Sequence, residues 1–401
     1  MIKKITTEQL QLGMHLHKFC ADWLDHPFWK SDFLIENEAD LKKIKVSKVK
    51  DVLIDTKKGL DVPGVAEASV QEQQQADSLS TSKPDEVTKP VSIEQEKKRA
   101  ARIYAKSKQA MRSMFEEARM GKAIDASMAR DMVNEISASV MSNTDALISI
   151  TRLKSADEYT YMHSVAVCAL MIALAKQLGM NQDECKQAGL AGLMHDVGKA
   201  KIPDEIINKP GKLTDEEYAI VQTHPAEGYK ILKQEYDLDG VVLDVVLHHH
   251  EKVDGKGYPK GLSNSQLSQF ARMGAICDVY DAVTSNRPYK EGWSPGESLK
   301  RMSQWKGHFD EKIFHAFVKS IGIYPVGSFV MLDSGRMGVV IEQHATSLLS
   351  PKVKVFYSSK NSTYLMPETI DLAKAGTKEK IVSPEDPNEW GIRDFNDFWA
   401  E

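Results

Sequence analysis

Cysteine is scarce in this chain. Its 401 residues include four, Cys20, Cys168, Cys185 and Cys277, and no two form a Cys-x-x-Cys pair. That excludes a disulfide framework and a zinc ribbon, and the thiols read as reduced and buried. Long hydrophobic runs are also missing. The longest, Val165 to Ala175, falls well short of the roughly 20 residues that span a bilayer. Met1 to Lys18 has no apolar centre of a signal peptide, so a soluble, cytoplasmic protein is expected. The formal net charge is −5, so a polyanionic ligand must be met by local basic residues, and a general nucleic-acid binder is excluded. No Ser-His-Asp or Cys-His arrangement suggests a covalent mechanism, and no repeat of solenoid period is present.

What remains is ordinary globular composition, 42% hydrophobic and 27% charged, in a length that suits two or three domains. Residues 1–61 read as a small mixed domain. It has a short helix over Ala39 to Val46, a strand at Val52-Leu53-Ile54, and aromatic mass from Trp23, Phe28, Trp29 and Phe33. Residues 62–91 contain a glutamine-rich run and a Ser/Thr/Lys/Pro stretch, too poor in apolar groups to offset ordering entropy, and read as a flexible linker. Ser92 and Gln95 then form a capping box for a helix carrying Ile103, Met111, Met114 and Phe115, with Gly121 as its break. A second helix carries Met128, Met132, Val133, Ile136 and Val140, so 92–154 read as connecting helices. Helical periodicity runs on from Tyr159 to Ser320, with a further capping box at Thr214 and Glu217. After Pro325 the pattern turns to β. Phe329 to Leu332 and Val339 to Ile341 flank Asp333-Ser334-Gly335-Arg336 as a hairpin, and Val353 to Tyr357 is a third strand in a small β appendage over 325–401.

Histidine placement carries the chemistry. His163, the pair His195-Asp196, His224, the run His248-His249-His250-Glu251 and Asp278 follow one another through the helical region. Imidazole and carboxylate without thiolate suit iron, manganese, nickel or zinc. A lone helical histidine is usually a hydrogen-bonded surface or core residue, but a core has no need of such a series. His195-Asp196 falls at the C-terminal end of a helix, with Gly198 as its stop signal. Three consecutive histidines on a helix point about 100° apart, so all three are not expected to converge.

The order His163, His195-Asp196 with Lys199, His224 and Asp278 resembles the HD superfamily of metal phosphohydrolases. The run His249-His250-Glu251-x-x-Asp254-Gly255-x-Gly257-Tyr258-Pro259, followed by Arg287-Pro288-Tyr289-Lys290, resembles the extended signature of its HD-GYP branch. The resemblance covers about 155–325. Trp23-Leu24-Asp25-His26-Pro27-Phe28-Trp29 is similar to an accessory domain often joined to HD-GYP domains. The fold implied is mainly α: an all-helical HD-type domain over 155–324, with a small N-terminal α/β domain and a small C-terminal β appendage.

The resemblance implies a cyclic di-GMP phosphodiesterase giving linear pGpG, with GMP as a further product. His163, His195, Asp196, His224, His249, His250 and Asp278 would ligate two divalent ions, iron or manganese, with Asp196 as the bridge. Lys199 would contact the scissile phosphate, Arg287 and Lys290 would hold substrate phosphates, and Tyr258 would either stack on a guanine or pin its loop. His248 would be a solvent or outer residue, and Asp281 is as compatible with supporting a ligand as with stabilising its helix. Some HD-GYP proteins carry a glutamate four residues before the first histidine, where it supports a third metal. Here that position is Tyr159, and Glu158 faces about 100° away on a helix, so two ions are expected. Two cations about 3.5–4 Å apart neutralise a phosphodiester and lower the pKa of water. Cyclic di-GMP is the expected partner, with a homodimer and a diguanylate cyclase or other signalling protein as further expectations. The alternatives are a catalytically weak cyclic di-GMP-binding effector and an HD hydrolase of another nucleotide.

Overall fold

The computed structural model describes residues 2–21, 28, 32–62, 93–122, 124–152, 159–233, 238, 240–286, 292–344 and 347–392. Side chains at 149–152 and 159–160 lie outside that description, as do Arg287, Lys290, the 63–92 segment and most of 22–31. The chain separates into two compact units, Met1–Gln95 and Glu96–Glu401.

Among its described residues, the first unit is a four-stranded antiparallel sheet, ordered β1-β4-β2-β3, with helix α1. Its elements are β1 (Ile2–Thr6), β2 (His15–Phe19), β3 (Phe33–Leu34), α1 (Glu38–Val46) and β4 (Asp51–Asp55). In β4, Val52 and Ile54 alternate inward, as period-two patterning requires. Asn37 caps α1 by accepting from the Asp40 N–H at 2.9 Å, and Ile44 on its inner face joins Leu10, Met14, Leu16, Ile35, Val52 and Ile54 in the core. Of the aromatic residues expected in this core, Phe28 and Phe33 pack against it, with ring centroids 5.0 Å apart. Trp23 and Trp29 lie outside the described residues. Cys20 is exposed, contrary to the expectation that all four thiols are buried, because it follows the inward-facing Phe19 at the end of β2.

The second unit is a helical body followed by a sheet. The helices are α2 (Ile93–Arg119), α3 (Ala126–Ser142), α4 (Thr144–Arg152), α5 (Tyr159–Gln177), α6 (Gln182–Met194), α7 (Asp204–Ile207), α8 (Asp215–Val221), α9 (His224–Lys233), α10 (Gly240–His248), α11 (Gln269–Thr284), α12 (Pro295–Gln304) and α13 (Glu311–Ile321). At the centre lies α5. Val165 to Ala175 are all buried, so this helix is apolar around its whole circumference and is enclosed by α3, α4, α6, α11 and α13. Truncating a buried leucine such as Leu174 there costs about 2–5 kcal/mol. The Thr214–Glu217 capping box forms as the spacing predicts, with Glu217 N–H donating to Thr214 Oγ1 and Thr214 N–H to Glu217 Oε2. No helix among the described residues is long and apolar enough to cross a membrane.

The sheet adds β5 (Phe329–Leu332), β6 (Arg336–His344), β7 (Ser347–Ser358), β8 (Thr363–Asp371) and β9 (Ile381–Pro384), ordered β8-β7-β6-β5-β9 and antiparallel throughout. The predicted hairpin is β5-β6, pairing Phe329 with Val339 and Met331 with Met337. Alternation sends Phe329, Met337, Val339 and Phe356 to one apolar cluster and Val330, Leu332, Val340, Val353 and Val355 to another, so the sheet buries both faces.

Candidate metal centre

Seven predicted ligand residues meet inside the helical body. His163 and Asp278 sit within α5 and α11, and the other five stand at helix ends. His195 ends α6, Asp196 follows it, His224 opens α9, and His249 and His250 follow α10. Helix ends suit this because their last carbonyls have no intrahelical partner. His195 Nδ1 donates to Gly192 O at 2.7 Å, His224 Nδ1 to Val221 O at 2.7 Å, and His249 Nδ1 to Val246 O at 3.0 Å. His163 Nδ1 faces the Asp281 carboxylate at 2.6 Å. Each of these acceptors keeps the proton on Nδ1 and leaves Nε2 to present its lone pair inward.

The inward nitrogens form two close pairs. His163 Nε2 lies 3.3 Å from His195 Nε2, and His224 Nε2 lies 3.2 Å from His249 Nε2. Asp196 stands between them. Its Oδ2 is 3.5 Å from His163 Nε2 and 3.3 Å from His195 Nε2, while its Oδ1 is 3.3 Å from His224 Nε2 and 3.9 Å from His249 Nε2. Asp278 Oδ1 is 2.9 Å from His163 Nε2, and its Oδ2 is 3.7 Å from His250 Nδ1. Three overlapping groups, His163/His195/Asp278, His195/Asp196/His249 and His224/His249/His250, each place ligand atoms within 4.8 Å of one another.

These residues fit a divalent ion. Lone pairs facing each other at such distances repel unless positive charge lies between them. Asp196 Oδ1 is buried and accepts no hydrogen bond among the described residues. Burial would raise Asp196, but Lys199, His195 and His224 outweigh it and hold the carboxyl well below its usual range. Burial likewise works against Asp278, and the His163 hydrogen bond and the surrounding imidazoles hold it well below that range. His249 is pushed well below the ordinary histidine value by burial and by His250, and His250 is lowered to about 3, chiefly by burial. Both imidazoles are therefore neutral and able to ligate. His195 goes the other way: burial lowers it, but Asp196 and Asp278 prevail and raise it, which marks the demand of the two carboxylates for a cation. Imidazole and carboxylate oxygen without thiolate is a donor set for a first-row divalent metal.

Local structure explains this convergence. Gly198 is not the left-handed stop that the sequence suggests. It lies in a tight turn over Val197–Lys201, and a Cβ there would meet His224 O at 1.9 Å and Gly228 N at 2.5 Å. The glycine lets α9 approach, which brings His224 to Asp196. The 100° argument for the three histidines holds only as far as His248, where α10 ends. His249 and His250 lie in the turn beyond, with ring centroids 4.2 Å apart, so both reach the centre. His248 turns to Asp244, with Nδ1 2.8 Å from Oδ1.

Lys199 Nζ donates to Asp196 Oδ2 at 2.5 Å. The Tyr258 ring stacks on His250, with centroids 4.7 Å apart and planes 24° from parallel. Two supporting carboxylates were not assigned by sequence reasoning. Asp281, left open there, accepts from His163. Glu251, part of the recognised run but given no role, accepts from the Lys260 and Leu262 N–H groups at 2.7 and 3.0 Å. The i, i+3 spacing of Asp278 and Asp281 was the available signal for the first.

Comparison with known proteins matches residues 2–129 to a domain of unknown function (DUF3391) and residues 140–313 to the HD domain. The chain is 50% identical over 402 aligned positions to a cyclic di-GMP phosphodiesterase of Pseudomonas aeruginosa, covering 100% of this chain and 96% of the relative. It is 36% identical over 183 residues to a 3'3'-cGAMP-specific phosphodiesterase of Vibrio cholerae, covering 45% of this chain and 42% of the relative. It is 38% identical over 148 residues to a cyclic di-GMP phosphodiesterase response regulator of Xanthomonas campestris, covering 36% of this chain and 39% of that protein. The two partial matches each cover less than half of this chain, whereas the first runs through both of its units, and on that full-length similarity the chain belongs to the HD-GYP family of metal-dependent phosphodiesterases.

Proposed function

We propose that this chain hydrolyses cyclic di-GMP to linear pGpG at a binuclear centre of iron or manganese. His163, His195, Asp196, His224, His249, His250 and Asp278 are its ligands. The observation that carries this reading is the Asp196 carboxylate, whose two oxygens face two separate pairs of imidazole nitrogens 3.2–3.3 Å apart. A carboxylate placed between two nitrogen-rich pockets would let Asp196 serve an ion in each. The chemistry they supply when bound is neutralisation of the phosphodiester and a lowered pKa for water.

The chain's own groups do the rest. Carbonyls of Gly192, Val221 and Val246 and the carboxylate of Asp281 orient four imidazoles, so little reorganisation is needed when charge develops. Lys199, 23% exposed in its side chain, donates to the buried Asp196 and can also direct an ammonium N–H to a phosphate oxygen. Arg287 and Lys290 hold the substrate phosphates in this reading. Tyr159 offers no carboxylate for a third ion, so pGpG accumulates before GMP.

The test is anaerobic purification, metal analysis and chromatographic identification of products from cyclic di-GMP and, separately, from 3'3'-cGAMP. Two ions per chain and a pGpG product support the proposal. A metal-loaded protein that binds cyclic di-GMP without cleaving it overturns the assignment in favour of an effector. Three ions per chain overturn the inference from Tyr159.

A further inference from the structure

Four of the five ligand histidines have an outer anchor: a backbone carbonyl for His195, His224 and His249, and the Asp281 carboxylate for His163. His250 has none among the described residues. Its Nδ1 has only Asp278 Oδ2 at 3.7 Å, and its side chain is 23% exposed, against 8% or less for the other six ligands. An imidazole that is partly exposed and unanchored samples several ring orientations, which weakens it as a ligand.

The loop that follows closes over this ring. The Tyr258 N–H donates to His250 O at 3.2 Å, and the Tyr258 ring stacks on the imidazole. Gly257 permits the approach, since a Cβ there would meet Glu251 Cα and Lys252 N at 2.4 Å. Glu251 is 2% exposed and gathers the far end of the loop through the Lys260 and Leu262 N–H groups. A buried carboxylate with two charge-assisted hydrogen bonds is a strong tether. The near end is tied through Val253 N–H to His308 O and Asp254 N–H to Gly307 O.

We propose that Tyr258 and Glu251 are positioning residues for the metal centre: Tyr258 fixes the His250 ring by stacking, in place of the hydrogen bond its fellow ligands have, and Glu251 holds the loop that delivers Tyr258. This rests on the metal reading above. Tyr258 then serves the ligand His250 and does not serve as a platform for the substrate's base. The effect falls on the His224/His249/His250 side and spares the His163/His195/Asp278 side.

The experiment is calorimetric titration of the metal-free full chain with Mn2+, for the wild type, Tyr258→Phe, Tyr258→Leu and Glu251→Gln, with circular dichroism as the check on folding. The wild type is expected to bind two ions. Tyr258→Leu should weaken one of the two by about 10–100-fold, the range for loss of an outer partner, and leave the other unchanged, while Tyr258→Phe keeps the ring and stays within about twofold of the wild type. Glu251→Gln retains one acceptor and should fall between them. At saturating Mn2+, the KM of Tyr258→Leu for cyclic di-GMP should match the wild type. Unchanged affinity for both ions in folded Tyr258→Leu and Glu251→Gln overturns the proposal, as does a raised KM with intact metal binding, which would make Tyr258 a substrate contact. A wild-type chain that binds no Mn2+ fails at the earlier step and overturns the metal centre itself.

Discussion

The helical body and the five-stranded sheet belong to one compact unit and both bury an apolar core, yet the body also buries a cluster of ionisable groups. The sheet encloses Phe329, Val339 and Phe356 on one face and Val330, Val340 and Val353 on the other, and keeps pairs such as Arg336–Glu379 and Lys352–Glu342 partly exposed. The body buries His163, His195, Asp196, His224, His249, Glu251, Asp278 and Asp281 around an otherwise apolar α5. Burying ionisable groups is unfavourable unless they are paired, so the sheet is optimised for stability and the body concedes stability at one place. A residue buried in the sheet can be replaced by another of similar shape. A residue buried in the centre would be constrained further by the ion it is proposed to coordinate.

Substitutions on the two sides should therefore separate function from stability. The largest effect is expected for Asp196→Ala, which removes both oxygens at once. Turnover should fall by at least about a thousandfold, with loss of bound metal and retention of helical circular dichroism. Near-normal hydrolysis in that variant would end the comparison. Phe356→Ala is its counterpart in the sheet. It should cost about 3–5 kcal/mol in denaturant unfolding and leave metal per folded chain unchanged. Metal loss at denaturant concentrations where the chain is still folded would show that the sheet supports the centre.

Chelation sharpens the contrast from the other direction. With free ion at a hundred times each dissociation constant, removing both ions should lower unfolding stability by about 5 kcal/mol, about 2.7 per site. That loss should add to the loss from Phe356→Ala, because the sites are independent. A sub-additive result in the combined experiment would reveal coupling between sheet and centre.

A smaller effect is expected where body and sheet meet. Asp145 on α4 accepts from the Gln343 N–H of β6 at 3.0 Å. Burial pushes its carboxyl up to about 6 from 3.8, and nearby Glu342 adds to the rise. A raised carboxyl stabilises the fold fully below its unfolded value near 3.8, and that contribution is lost as pH climbs through 6. Asp145→Asn cannot ionise. Its stability should be flatter between pH 4 and 7, and higher than the wild type's at pH 7 by about 3 kcal/mol. Parallel pH profiles for the two proteins would place the titration elsewhere.

Much of this was legible from local pattern. Alternation marked β5, β6 and β7, with Gly335 at φ +81° in the turn, and Thr214 and Glu217 announced α8. β8 was not foreseen, because as an exposed edge strand it carries Tyr364, Met366 and Glu368 outward with no hydrophobic alternation. β9 (Ile381–Pro384) has only two large apolar residues before Ser383 and Pro384, which read as a turn rather than a strand.

At the centre, sequence alone determined which residue types were available and in what order, because ligand chemistry is a property of the side chain itself. It could not determine which atoms meet. His163 and Asp278 lie 115 positions apart and touch at 2.9 Å only because α5 and α11 pack together. Tertiary structure also decided that His249 and His250 escape helical geometry one residue past α10, that Gly198 serves close approach, and that Glu251 spends its carboxylate on a loop. Each of these depends on groups distant in sequence being brought together by burial, and no local periodicity records that.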